Sequence, residues 1–373
     1  MKKGWEYRKL ENCLVKVPKQ KELKTKDYKT FGQYPIVSQE STLISGYSDD
    51  IDKVFSHVKP VIIFGDHTKN VKYIDFDFVV GADGVKILMP QDDIISKFFY
   101  YVIKSFRLDN LGYARHYRLL KENIVPVPPL SEQQRIVSYL DSAFAKIDAV
   151  AKNAEATLNE AKALFQSALA KMMEPKEGWE EVTLDNICSI ESTLVDPTDD
   201  NYNNLLHVGG ANIESYTGRL INLMTAKDER LTSGKYLFDS NVVLYNKVRP
   251  YLVKVARPDF NGLCSADMYP LTPKKETTRE FLYYLLIKKE FTNYAIKCSA
   301  RAGMPKINRN SLFAYKASIP LNRKEQIRIV STLDNIRKVL MHLESNLSLT
   351  LTECTALKQA ILRQTFEQDG NII

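Results

Sequence analysis

Two sets of short segments carry the side chains best suited to polar recognition. The first half holds Tyr34-Pro35-Ile36-Val37-Ser38-Gln39-Glu40, Ser45-Gly46-Tyr47-Ser48, Gly65-Asp66-His67-Thr68-Lys69 and Tyr113-Ala114-Arg115-His116-Tyr117. The second holds Asn212-Ile213-Glu214-Ser215-Tyr216, Asn246-Lys247-Val248-Arg249-Pro250-Tyr251 followed by Lys254, Ser265-Ala266-Asp267, and Arg301-Ala302-Gly303-Met304-Pro305-Lys306. Arginine presents a fork of donors that fits a phosphate or a guanine edge, and amides match adenine. Hydroxyls and lysine ammoniums bind phosphate oxygens. The chemistry on offer is therefore non-covalent reading of a nucleic acid. The candidate contacts are Ser38, Gln39, Tyr47, Asp66, His67, Thr68, Lys69, Arg115 and His116 in the first set, and Asn212, Tyr216, Lys247, Arg249, Tyr251, Lys254, Arg301 and Lys306 in the second. Plainer readings stand beside these. Gly65-Asp66-His67-Thr68, taken alone, reads first as a tight turn after a strand, with Asp66 capping and His67 exposed. Lys247-Val248-Arg249-Pro250 is equally a solvated hairpin edge, and Ser265-Ala266-Asp267 reads as structural rather than base-reading.

The overall charge agrees with a polyanionic partner. The net charge is +7, and residues 1–30 alone carry ten Lys or Arg against four Asp or Glu. Lys247, Arg249, Lys254 and Arg257 gather around Tyr245 and Tyr251, in a chain with twenty tyrosines. The five cysteines, Cys13, Cys188, Cys264, Cys298 and Cys354, form no Cys-x-x-Cys pair and no zinc-ligand spacing, as expected of free thiols in a reducing compartment. The first residues lack an apolar signal core. The most apolar runs, Phe98–Ile103 and Phe281–Ile287, are far too short to span a bilayer, so a cytoplasmic protein without membrane contact is expected.

What positions the two sets is a tandem repeat. At 373 residues the chain exceeds one ordinary core. Gly4-Trp5 with Leu10-Glu11-Asn12 recurs as Gly178-Trp179 with Leu184-Asp185-Asn186, an offset of 174. Phe98-Phe99-Tyr100-Tyr101-Val102-Ile103 recurs as Phe281-Leu282-Tyr283-Tyr284-Leu285-Leu286, an offset of 183. Arg135-Ile136-Val137-Ser138-Tyr139-Leu140-Asp141 recurs as Arg328-Ile329-Val330-Ser331-Thr332-Leu333-Asp334, an offset of 193. The order is kept while the offset grows, as it does when homologous frameworks carry loops of different length. Trp5 and Trp179, present in both halves, are expected to anchor each module to the helix that follows it.

The third block opens a long helix in each half, after Pro126, Pro128 and Pro129 and after Pro320, with Ser131 as a candidate cap. Apolar residues then recur in the same register: Ile136, Leu140, Ile147, Leu158 and Leu164 in the first helix, and Ile329, Leu333, Leu340, Leu343, Leu347, Leu351 and Leu357 in the second. Steps of four and three make a coiled-coil seam, so the two helices are expected to pack against each other antiparallel. The seam from Ile136 to Ala168 would run roughly 48 Å at about 1.5 Å per residue. That is on the order of 14 base pairs.

The expected architecture is α+β: two mixed α/β recognition domains, 1–125 and 175–318, separated by a central helix at 126–174 and a C-terminal helix at 319–373 with pseudo-twofold symmetry. Strands are expected at Val61–Phe64, Phe76–Gly81, Val242–Tyr245 and Tyr251–Ala256, with short buried helices at the Phe98 and Phe281 stretches. The framework repeats and the polar loops do not, so two DNA-binding modules of this kind would read different half-sites.

Catalysis by this chain is not expected. It has no Asp/Asn-Pro-Pro-Tyr/Phe motif for adenine methylation, no glycine-rich cofactor loop and no phosphate-binding Gly-x-x-x-x-Gly-Lys-Ser/Thr loop. Pro258-Asp259 is followed by no nuclease motif, and the five histidines form no metal set.

The block Pro128-Pro129-Leu130-Ser131-Glu132-Gln133-Gln134-Arg135-Ile136-Val137, its looser copy from Pro320 to Val330, the two Gly-Trp starts and the paired long helices together resemble the HsdS family, the specificity subunits of type I restriction-modification enzymes. The resemblance covers essentially the whole chain. It implies target recognition domains on double-stranded DNA, helices that act as spacers and docking surfaces for two methyltransferase (M) subunits, and restriction/translocase (R) subunits in the same complex. It also implies an asymmetric bipartite target modified at adenine, with S-adenosylmethionine, ATP and Mg on the partner subunits and no cofactor on this chain. In the second copy, Asn322-Arg323-Lys324-Glu325-Gln326 replaces Pro129-Leu130-Ser131-Glu132-Gln133, a departure that would soften capping there. The alternatives are a coiled-coil adaptor with protein-binding domains and the recognition half of a split restriction enzyme.

Overall fold

A computed structural model describes residues 4–109, 112, 114–300 and 303–366. The chain divides into two compact units, Met1–Glu155 with Ser348–Ile373, and Ala156–Leu347.

The first unit runs through β1 (Glu6–Lys9), β2 (Leu14–Val15), β3 (Tyr34–Val37), β4 (Gly46–Ser48), β5 (Val54–Phe55), β6 (Val61–Gly65), β7 (Val71–Ile74), β8 (Phe78–Val80) and β9 (Val85–Pro90). Then come α1 (Ser96–Ser105), α2 (Tyr117–Lys121), β10 (Ile124–Val127) and the start of α3 (Leu130–Met172). Its sheets have the orders β2-β9-β6-β7 and β4-β3-β8-β5, and β1 pairs with β10. Among these strands β3 and β8 pair parallel and the others antiparallel.

The second unit takes up the end of α3, then β11 (Glu180–Thr183), α4 (Leu184–Ile187), β12 (Cys188–Ser189), β13 (Leu194–Val195), β14 (Leu206–Val208), β15 (Met224–Thr225), β16 (Lys235–Phe238), β17 (Val243–Asn246) and β18 (Val255–Ala256). It continues with β19 (Gly262–Cys264), β20 (Met268–Pro273), α5 (Arg279–Ile287), α6 (Lys289–Ser299), α7 (Arg309–Phe313), β21 (Lys316–Ile319) and the first part of α8 (Arg323–Phe366). Its sheets are β12-β20-β17-β18 and β13-β16-β19-β14-β15, with β11 against β21. Strand for strand this is the topology of the first unit with one strand added, and again one parallel pair, β14 with β19. The repeat read in the sequence is thus a repeat of fold.

Each unit buries the short helix that follows its main sheet. Phe98, Phe99, Tyr101 and Val102 of α1 pack with Ile62, Phe64 and Leu88 of that sheet, and with Ile136, Leu140 and Phe144 of α3 and Leu362 and Phe366 of α8. In the second unit Phe281, Leu282, Tyr284 and Leu285 of α5 pack with Val243 and Leu271, with Ile329 and Leu333 of α8, and with Phe165 and Leu169 of α3. Burial of such side chains, at about 1.5 to 3 kcal/mol each, is the main driving force. Within each unit the two long helices run antiparallel. Lys358 pairs with Asp148 in the first, and Lys162 Nζ lies 3.6 Å from Glu344 in the second.

Four local expectations change. Tyr251 is not in a strand: Pro250–Leu252 is a 3₁₀ turn bracketed by left-handed Arg249 (φ 51°) and Val253 (φ 46°), and pairing resumes only at Val255. Ser131 is not the cap of α3, because the helix starts at Leu130 and the Glu132 and Gln133 amides donate to the Pro129 carbonyl. The second copy is capped well, since Asn322 Oδ1 accepts the Lys324 amide at 3.0 Å. The seam register also slips late in each helix. Ile136, Leu140, Ile147, Ile329 and Leu333 are buried, and Leu158, Leu340, Leu343, Leu347 and Leu351 half-buried, but Leu164 and Leu357 are 70% and 51% exposed. Phe165 takes the inward place in α3. In α8 it is half-buried Lys358, whose ammonium lies 5.5 Å from the centre of the Phe144 ring.

Candidate nucleic-acid interface

In the first unit the polar segments converge because β3, β6 and β8 end together. Gln39, just past β3, binds the turn after β6 three times. Its Oε1 accepts the His67 amide at 3.1 Å, and its carbonyl accepts Thr68 Oγ1 at 2.6 Å and Asn70 Nδ2 at 2.9 Å. Gly65 has no room for a side chain, since a Cβ there would lie 2.3 Å from Thr68 Oγ1 and 2.9 Å from Gln39 Cβ. Gly84, after β8, closes against His67 and Gln39 in the same way. The turn itself is held by a left-handed Lys69 (φ 60°), whose amide returns to the Gly65 carbonyl at 2.8 Å.

Three candidates in this set are structural. Asp66 is 1% exposed; its Oδ1 accepts the Tyr117 amide at 2.8 Å and so caps α2, and Lys86 lies 3.7 Å from Oδ2. His116 is fully buried, with Nδ1 3.0 Å from the Asp66 carbonyl. Ser38 is 2% exposed, bonded to Ser45 Oγ at 2.6 Å. These side chains shape the loops and cannot reach a ligand, because their polar atoms are enclosed by protein. Thr68 and Arg115 are exposed, and Gln39, Tyr47, His67 and Lys69 half-exposed. One cation was missed by the sequence reading. Lys72, 6% exposed on β7, donates to the Ser38 and Thr42 carbonyls at 2.8 and 2.5 Å and stitches the β3–β4 loop down. Its burial lowers its pKa.

The second unit gathers its loops by other bonds. The Arg249 amide donates to Pro305 O at 2.8 Å, the Ile307 amide to Lys247 O at 3.1 Å and the Lys247 amide to Asp267 O at 3.2 Å. Lys306 Nζ pairs with Asp267 Oδ1 at 2.9 Å, Lys254 Nζ donates to Gly210 O and Lys247 Nζ to Ala266 O. Lys247 also lies 4.9 Å from the centre of the Tyr269 ring. Its pKa is lowered, first by burial and then by the nearby Lys306 charge. Arg249 stands exposed at the tip of this cluster, and its guanidinium bonds to nothing among the described residues. Asn212 spends its amide on Gly209, Ile221 and Asn222, so it is a loop staple. Tyr216 and Tyr251, joined by a 3.1 Å bond from the Tyr216 hydroxyl to the Tyr251 carbonyl, line a separate cavity of 680 Å³ with Phe165, Val253, Arg337 and Leu340. Arg301 lies outside the described residues.

Both units thus present a knot of loops at the ends of matching strands, alike in framework and, among the described residues, different in their exposed cations. The model of the type I restriction modification DNA specificity domain matches residues 2–160 and again 176–353. The chain belongs to that family. A specificity subunit of the type I restriction enzyme EcoDI from Escherichia coli is 33% identical over 188 residues, which is 50% of this chain and 41% of that protein. The chain therefore matches less than half the length of this relative. The specificity subunit of EcoR124I/EcoR124II, also from Escherichia coli, is 23% identical over 337 residues, 84% of this chain and 81% of that one. A solved chain from work on complex assembly and conformational transition of the type I R-M system superposes with a TM-score of 0.69, covering 99% of each chain at 18% identity, a likeness of fold. No helix among the described residues is long and apolar enough to cross a membrane.

Proposed function

We propose that this chain is the DNA-reading specificity subunit of a type I restriction-modification complex, each unit reading one half of an asymmetric bipartite site on double-stranded DNA. The observation that carries this reading is the pair of loop knots. Equivalent strands position both, yet the first presents exposed Thr68 and Arg115 with half-exposed Lys69, and the second exposed Arg249 with half-exposed Lys306. A repeated frame bearing unlike donors suits an asymmetric target. Lysine and arginine contacts to phosphate supply most of the affinity and its salt dependence, and a few contacts to base edges supply the selection.

The chain acts without chemistry of its own. Two methyltransferase subunits carry adenine methylation with S-adenosylmethionine, and restriction/translocase subunits carry ATP- and Mg-dependent cleavage. The complex works on DNA in the cytoplasm. Sequencing the methylome of cells with and without this gene tests the reading. Loss of one bipartite adenine-methylation motif on deletion is the expected outcome, and an unchanged set of motifs refutes it.

A further inference from the structure

One dipeptide recurs inside the two loop knots. Ala82-Asp83 follows β8 and Ala266-Asp267 follows β19, the parallel strand of each unit. Their equivalence is fixed by backbone pairing: the Gly81 amide donates to Val37 O at 2.9 Å, and the Ser265 amide to Val208 O at 3.0 Å, Val37 and Val208 being the last residues of β3 and β14. The neighbouring loops share neither sequence nor conformation. The turn after β6 closes on itself through Lys69, while the one after β17 continues into the 3₁₀ turn at Pro250. An aspartate nonetheless stands at the same place in both.

Neither carboxylate is used up by the fold. Asp83 is exposed and bonds to no other described residue. The Asp267 side chain is 59% exposed. Lys306 engages Oδ1, and Oδ2 meets no donor among the described residues. An ionised carboxylate can only accept hydrogen bonds and is repelled by phosphate, so it is ill suited to binding a DNA backbone. What it does fit is an exocyclic amino group in the major groove, cytosine N4 being the usual donor and adenine N6 the other.

We propose that Asp83 and Asp267 are matched base-reading acceptors, each taking a hydrogen bond from an amino group of adenine or cytosine in the half-site of its own unit. This rests on the DNA-reading function proposed above and reverses the structural role expected for Ser265-Ala266-Asp267.

The test uses the full chain with its own methyltransferase. Methylome sequencing of the wild type defines the motif; competition binding with duplexes altered at each motif position then compares wild type, Asp83→Asn, Asp267→Asn and Lys306→Met. Asp267→Asn should lower discrimination about tenfold at one amino-bearing position of one half-site, the scale of a good base contact. Asp83→Asn should do the same in the other half-site. Lys306→Met should weaken binding to all duplexes without relaxing that position. Unchanged discrimination in both aspartate variants overturns the proposal, and so does relaxation spread over a whole half-site. Should Lys306→Met reproduce the effect of Asp267→Asn, Asp267 acts only through the lysine and the idea fails for that unit. Asp83→Ser and Asp267→Ser replace any asparagine variant that does not fold. Absence of a motif in the wild type would remove the DNA-reading function itself, an outcome distinct from a motif that the variants leave intact.

Discussion

Gln326 makes, 193 residues further along the chain, the same three hydrogen bonds as Gln133. Gln133 Nε2 donates to the carbonyls of Asp93 and Pro128, and its Oε1 accepts the Ile95 amide, all at 2.8 Å. Gln326 Nε2 donates to Glu276 and Pro320 while Oε1 accepts the Thr278 amide, again at 2.8 Å. Both side chains are fully buried. Each ties the first turn of a long helix to the segment leading into α1 or α5, adding an amide latch to the apolar packing between those elements. Truncating either glutamine leaves a donor and two acceptors without partners. Gln133→Ala and Gln326→Ala should each cost about 3 kcal/mol in urea unfolding. A loss below about 1 kcal/mol at both sites would show that water replaces the latch.

The framework was legible in the sequence because repetition displays it. The Phe-Tyr-Tyr and Arg-Ile-Val blocks mark α1 with α5 and α3 with α8. The Tyr101–Asp141 bond and its copy, Tyr284 Oη to Asp334 Oδ1 at 2.6 Å, join residues that those two blocks contain. Individual loop roles were not legible, since they depend on partners far away in the chain. Asp66 is withdrawn from the surface by Tyr117, 51 residues later. The late seam was ambiguous for another reason: Ala163-Leu164-Phe165 offers adjacent apolar residues, and it is Phe165 that joins the core with Leu333 and Leu340. The matched Ala-Asp pairs did carry a signal, the same dipeptide at nearly the same offset as the mid-half block.

Arg249 is an exposed cation of the second knot whose guanidinium bonds to no other described residue. Arg249→Gln should abolish or relax the second half-site and leave the first intact, at a cost of about 1 to 3 kcal/mol if the guanidinium forks onto a base. The methylation motif of cells carrying only this variant is the readout, and an unchanged motif removes Arg249 from the reading set. If it touches phosphate alone, binding should instead weaken uniformly, with the salt slope reduced by about one.

His207 gives the second unit a pH dependence. Its ring is 6% exposed, with Nδ1 2.9 Å from Glu229 Oε2. Burial pushes its pKa below 6.5, more than the glutamate pulls it back. The folded state therefore binds this proton less readily than the unfolded chain. The resulting contribution is fully present above the unfolded value and is lost as the pH falls through it towards the lower folded value. Urea midpoints measured from pH 7.5 to 5 should drop more steeply in the wild type than in His207→Gln. Parallel curves would mean that Glu229 compensates the buried charge.

The late register of α3 predicts opposite effects at neighbouring positions. Phe165 is 5% exposed in the core with Leu169 and Leu333, whereas Leu164 is 70% exposed. Phe165→Ala removes a buried ring and leaves a cavity, a loss of about 3 to 5 kcal/mol. Leu164→Ala removes surface already in water and exchanges it for a better helix former, so its effect should stay within about 0.5 kcal/mol. A regular seam running through Leu164 would give the reverse ranking, and calorimetry on the two variants distinguishes them. If Leu164→Ala leaves stability unchanged but weakens assembly with the methyltransferase, the outward leucine belongs to a docking surface and not to the pairing of the two long helices.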